Sequence, residues 1–153
     1  MDDVALFLHL IGVLVFVAGI AVAGIAFESA RGRDRPADIA LLLGLSRIGA
    51  VLVMAGALLV LGFGLWLVHL KDFSYGTGWV SASITLLVLA LILGGFGGQR
   101  LKQARLLAAE LAARDQPASQ ELRSLMSDRA SLTANYAAAV LVVVILALMV
   151  FKP

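Results

Sequence analysis

Cysteine is absent from this chain. That excludes disulfides, thiolate metal sites and cysteine nucleophiles, and it leaves nothing from which to read a redox compartment. Charge is scarce. Only 14% of the 153 residues are charged and 61% are hydrophobic, with mean hydropathy +1.01, where a soluble domain carries about 25% charged residues. The few charges are gathered into short segments, which excludes a large soluble core and marks an integral membrane protein. Histidine occurs twice, and Met1, Met54, Met126 and Met149 are scattered, so soft-metal transport lacks a donor set. Acidic residues are missing from the apolar stretches, which removes the groups that proton or cation coupling uses. There is no Walker sequence, GxSxG, HExxH or DxDxDG, each of which would place a known chemistry on a loop or helix. The basic residues line the ends of apolar runs and form no nucleic-acid pattern.

What is present is four apolar runs, about 4–27, 48–69, 79–98 and 132–151. Each has the ~20 residues a spanning helix needs. Inside a bilayer every backbone polar group must be satisfied internally, so helices are the expected form. The first run follows Met1-Asp2-Asp3, an acidic start without the basic n-region of a signal peptide, and it is longer than a signal's apolar core. It reads as a retained membrane helix. The expected fold class is all-α: an integral membrane four-helix bundle, a single membrane domain over 1–153.

The connections carry their own signals. Gly32 and Pro36 break the chain after the first span, and Pro36 suits the first turn of a second helix running from near 37 to about 70. Arg47 falls at the membrane boundary, where snorkelling suits it. Trp66, Phe73, Tyr75 and Trp79 gather around the second connection as an interfacial aromatic belt, and Gly76 and Gly78 allow its tight turn. The third connection, 99–131, is long and rich in helix formers up to Arg114. Pro117 interrupts it, and Ser119-Gln120-Glu121 is a helix start. This predicts that the third and fourth helices extend past the membrane as a cytoplasmic helical hairpin, with its tip near 115–119. Leu101, Leu107 and Leu111 on one arm would meet Leu122, Leu125 and Met126 on the other.

Orientation follows from charge. Loops one and three lie on one side, and with Arg47 they hold Arg31, Arg33, Arg35, Arg100, Lys102, Arg105, Arg114, Arg123 and Arg129, ten of the twelve Lys and Arg residues. Only Lys71 and Lys152 lie on the other. The positive-inside rule puts those loops in the cytoplasm and both termini outside, as a multi-pass protein of the cell inner (plasma) membrane.

One ionisable side chain interrupts the first run: His9. Its helical face continues through Gly12, Phe16, Gly19 and Ala23, a stripe whose small residues admit a neighbouring helix. His9 therefore points into the protein, either as a functional ligand, the default for an intramembrane ionisable group, or as a neutral imidazole bonded to a backbone carbonyl or a serine. His69 closes the second span, and Ser81 and Ser83 open the third. With this orientation the polar groups of the spans collect near the outer face. Imidazoles at His9 and His69 form the one constellation with chemistry: axial ligands of a b-type haem between two helices. The competing reading makes His69 an interfacial polar residue. A stripe on the third helix, Ser83, Ala90, Gly94 and Gly98, contains GxxxG and supports close packing within the bundle or in a dimer.

These residues resemble an uncharacterised bacterial family of four-helix integral membrane proteins carrying a domain-of-unknown-function label. The similarity is carried by Gly64-Leu65-Trp66-Leu67-Val68, Gly78-Trp79-Val80, the basic segment from Arg100 and the closing Met149-Val150-Phe151-Lys152-Pro153. More distantly, the chain is similar to the CopD-like group and to HemJ-type protoporphyrinogen oxidases, through His9-Leu10-Ile11-Gly12, Gly19, Arg47 and Gly64-Leu65-Trp66. In the HemJ type the first-helix histidine is a haem ligand, which implies that role for His9. The third helix there opens with a tryptophan followed by a functional lysine. Here Trp79 is followed by Ser83 at the lysine position, and the aromatic and Arg residues expected later in the first helix are missing.

Two function classes remain. One is a redox-type membrane protein with haem b near its outer face, held by His9 with His69 or nothing opposite. The other is a non-catalytic scaffold or accessory subunit in the lipid bilayer. It assembles as a homo-oligomer or in a larger membrane complex through small-residue faces and the hairpin, with no nucleic-acid partner.

Overall fold

In the computed structural model, residues 2–71 and 76–151 are described, and every element among them is an α-helix. The order is α1 Asp2–Arg31, α2 Pro36–Leu70, α3 Gly78–Ala113, α4 Gln120–Met126 and α5 Arg129–Phe151. α1, α2, α3 and the stretch Gln120–Phe151 are each long and apolar enough to cross a membrane. Large apolar side chains such as Leu14, Ile25, Leu41, Ile92 and Val143 point outward. In water that surface would be untenable, while in lipid it is the ordinary exterior of a bundle. Phe73 and Tyr75 of the expected aromatic belt, and Lys152 and Pro153 of the closing motif, lie outside the described residues.

Pro36 sits in the first turn of α2, as its missing N–H predicts. α2 has 35 residues and α3 has 36, about 52 and 54 Å at ~1.5 Å per residue, against a ~30 Å hydrocarbon core. Both helices therefore overrun the membrane. The excess lies at the Arg-rich end, where the bundle builds a second core. Phe27 and Ala30 of α1, Ile39 and Leu43 of α2, Ala104, Ala108 and Leu111 of α3, and Leu122 and Met126 of α4 form one buried cluster. Leu101, Leu107 and Leu125 pack against it. The leucines expected to meet across the third connection do share a cluster, but the ends of α1 and α2 complete it.

The third connection departs from a simple two-armed hairpin. α3 closes at Ala113 with two reverse bonds, Asp115 N–H to Ala112 O at 3.2 Å and Gln116 N–H to Leu111 O at 3.0 Å. Asp115 supplies the left-handed residue this cap needs, with φ 51°. Ser119 then caps α4 by accepting from the Leu122 N–H at 3.2 Å. The return arm is not continuous with the fourth span. It breaks at Ser127–Asp128, and the Asp128 carboxylate accepts the Ser131 N–H at 3.0 Å to start α5 afresh.

In the membrane the helices form two close pairs, α1 with α2 and α3 with α5, and α2 and α3 join them. A central core of Phe16, Ala57, Val60, Leu87, Ala90, Val142 and Ile145 draws on all four. Glu28 links α1 to α5: its carboxylate accepts from Tyr136 Oη at 2.7 Å and from Arg31 at 3.2 Å.

Candidate functional site

His9 lies on the α1 face that meets α2, with 8% of its surface exposed. That face repeats every seven residues: Ala5, Gly12, Gly19 and Ala26 are all buried. A seven-residue period keeps one seam against a partner helix along its length. The partner's seam is also glycine. A Cβ at Gly19 would lie 2.6 Å from Val53 N and 2.7 Å from Gly49 O, and one at Gly49 would lie 2.6 Å from Ala23 N. A Cβ at Gly12 would lie 2.9 Å from Val60 N, and one at Gly56 would fall on the Phe16 backbone. Backbone touches backbone along the pair, so the stripe read from the sequence is a helix–helix seam.

At the end of this seam the imidazole of His9 rests on Gly64, where a Cβ would come within 3.1 Å of Cε1 and 3.2 Å of Nδ1. Nδ1 is 3.1 Å from the carbonyl oxygen of Val60. A carbonyl only accepts, so Nδ1 carries the proton and donates it. The lone pair of the neutral ring then belongs to Nε2. No buried side-chain nitrogen or oxygen among the described residues lacks a partner, so Nε2 opens on the small exposed part of the residue. Of the two roles for His9 read from the sequence, the bond to a backbone carbonyl is present, and Gly64 is the residue that makes room for it.

The other candidates stand apart. His69 is exposed in the last turn of α2. It is five residues beyond Gly64, which on a helix is about 140° round from the side that faces His9. Ser83 is 4% exposed, and its hydroxyl donates to the Trp79 carbonyl of its own helix at 2.7 Å. Ser81 and Thr85 bond back along α3 in the same way. Among the described residues no three His, Cys, Asp or Glu side chains gather as a metal site. A haem between α1 and α2 does not fit this seam. The small residues of the α1 stripe meet the neighbouring backbone directly, and His69 is not on the His9 face.

Three polar contacts went unread in the sequence. Ser131 Oγ donates to the Gly97 carbonyl at 2.8 Å, and the Asn135 amide lies against Gly97 where a Cβ would be. The close approach of α3 to α5 is therefore at Gly97, whereas Gly94 and Gly98 of the GxxxG face open space. The Tyr136–Glu28 bond is the third. Each pairs residues far apart in the chain, and a glycine carbonyl has no signature in sequence.

No curated protein and no solved structure matches the chain. A family model described as "Predicted integral membrane protein (DUF2269)" matches residues 3–153. With that match over nearly its whole length and four helices apolar enough to cross a membrane, the chain belongs to that family of integral membrane proteins.

Proposed function

We propose that the chain is a non-catalytic scaffold or accessory subunit of the bacterial inner membrane, with the Arg-rich end in the cytoplasm and both termini outside. The observation that carries this reading is the state of His9. The imidazole of His9 donates a hydrogen bond from Nδ1 to the Val60 carbonyl, over Gly64, at the end of a seam in which helix backbones meet at Gly12, Gly19, Gly49 and Gly56. That arrangement fixes two helices and leaves no cleft between them at His9. The Arg-rich end carries ten of the twelve Lys and Arg residues over a water-facing core of four helices, which supports a docking role in the cytoplasm.

A second reading rests on Nε2. A ligating histidine almost always donates its other ring N–H to a carbonyl or carboxylate, which fixes the tautomer. His9 is set up in that way, so haem b at the bundle surface with His9 as its single axial ligand, in a redox role, is the alternative, in line with the HemJ-type resemblance. The absorption spectrum of detergent-purified protein, expressed with added haem precursor, separates the two. The scaffold reading expects no Soret band and no pyridine haemochrome, and a shift in assembly size when Leu101, Leu107 or Leu125 is replaced. A stoichiometric Soret band that His9→Ala abolishes overturns it in favour of haem.

A further inference from the structure

On the outer surface of the α3–α5 pair runs a groove of about 520 Å³, within the about 300–1,000 Å³ of ligand clefts. Its walls are apolar: Leu93 and Phe96 from α3, Ala134 and Ala137 from α5. Its polar groups, Arg129 and Thr133, are both at the Arg-rich end. Thr133 Oγ1 bonds back to the Arg129 carbonyl at 2.8 Å. Arg129 is exposed and has no acidic partner among the described residues. The nearest carboxylate in sequence, Asp128, caps the α5 N-terminus through Ser131. Across the groove, Arg100 is exposed one turn beyond Phe96, so both helices change from apolar to cationic at the same depth.

We infer that this groove holds an acyl chain of an anionic phospholipid, whose headgroup phosphate is met by the Arg129 guanidinium. The apolar walls suit a lipid tail. A guanidinium at the boundary end offers a planar fork of donors to phosphate oxygens, and basic pockets between membrane helices take anionic headgroups. A second copy of the chain suits the groove less well. Copies sharing one membrane orientation would meet about a two-fold axis along the normal, which brings Arg129 and Arg100 of each to the same depth as those of the other. That like-charge contact opposes association.

Native mass spectrometry of the detergent-solubilised full chain tests this, titrating phosphatidylglycerol against phosphatidylcholine of the same chain length. Phosphatidylglycerol should bind about fivefold more tightly, the value of roughly one basic residue at the headgroup level. Arg129→Gln, an exposed change that leaves the core intact, should remove that preference, lowering phosphatidylglycerol adducts more than phosphatidylcholine adducts. Arg129→Lys should keep most of it. Ala137→Phe, at a half-buried position of the groove wall, should lower both adducts. Glycerol phosphate without acyl chains should not compete. Equal binding of the two lipids, an unchanged preference in Arg129→Gln, displacement by glycerol phosphate, or a dimer whose contacts exclude lipid from the groove would each overturn the assignment.

Discussion

Gly56→Leu should separate α1 from α2 and leave little folded protein. A Cβ at Gly56 falls on the N and Cα of Phe16. Those atoms belong to a helix backbone and cannot rotate aside as a side-chain tip would, so the whole helix must move. Moving it also opens Gly12 against Val60, Gly19 against Gly49 and Gly49 against Ala23, because the contacts share one straight seam. In lipid there is no water to drive the helices back together, and association depends on close van der Waals packing. Overpacking a tight interior costs about 1–3 kcal/mol where side chains can adjust, and a backbone clash belongs at or above the top of that range. Gly62→Leu on the same helix is the control. A Cβ at Gly62 meets nothing within 4 Å, and replacing an interior helical glycine gains about 0.5–1 kcal/mol of helix propensity. Thermal unfolding in detergent should therefore show Gly56→Leu collapsing while Gly62→Leu melts at or above the parent. Equal melting of Gly56→Leu and the parent would show that the glycine seam does not hold the pair.

The seam was half legible. His9, Gly12, Phe16, Gly19 and Ala23 could be placed on one face from spacing alone, and the first four are buried while Ala23 is half-buried, because small residues at helical period in an apolar run have few other uses. The spans were legible for a similar reason: lipid allows a long apolar run only one backbone solution. Pro36 marked the start of α2 and Ser119 the start of α4 because each acts through its own chemistry, a missing N–H and a hydroxyl acceptor. What the sequence could not choose was between faces of a helix with glycines on several of them. Gly94, Gly95, Gly97 and Gly98 stand almost together, and a shift of one residue turns the face by about 100°. The choice fell to Ser131 and Asn135 on α5, which sit at Gly97.

The break before α5 was readable but easily passed over. Asp128 three residues before Ser131 is a good N-cap, yet with neither Gly nor Pro nearby a continuous arm reads just as well. For His9 the sequence could not name its partner, since a main-chain carbonyl is present at every position. Gly64 was the usable clue. It entered the argument as part of a Gly-Leu-Trp resemblance, whereas its physical role is to clear space for the imidazole.

Leu122→Ala should be the most damaging change at the Arg-rich end, and for the opposite physical reason to Gly56→Leu. Leu122 is fully buried in the cluster where the ends of α1, α2 and α3 meet α4. This is the Arg-rich end that we propose to be cytoplasmic, and on that reading burial of apolar surface drives the packing. Removing a buried leucine side chain costs about 2–5 kcal/mol, the upper part when the site cannot collapse. α4 has seven residues, too few to be stable alone. It is held by Leu122 and Met126, the Ser119 cap and the Arg123–Asp34 ion pair at 2.9 Å. That pair is exposed on both sides and contributes at most about 1 kcal/mol. Leu122→Ala should therefore detach α4 while the membrane helices stay paired. A protease specific for basic residues should then cut at Arg114 and Arg123 far faster than in the parent, with little change in the unfolding of the spans. Asp34→Ala should accelerate the same cuts only slightly. If Asp34→Ala proved the more damaging of the two, charge and not apolar burial would be what seats α4 at the Arg-rich end. The groups available there for docking would then be its exposed ion pairs and not the shape of the cluster.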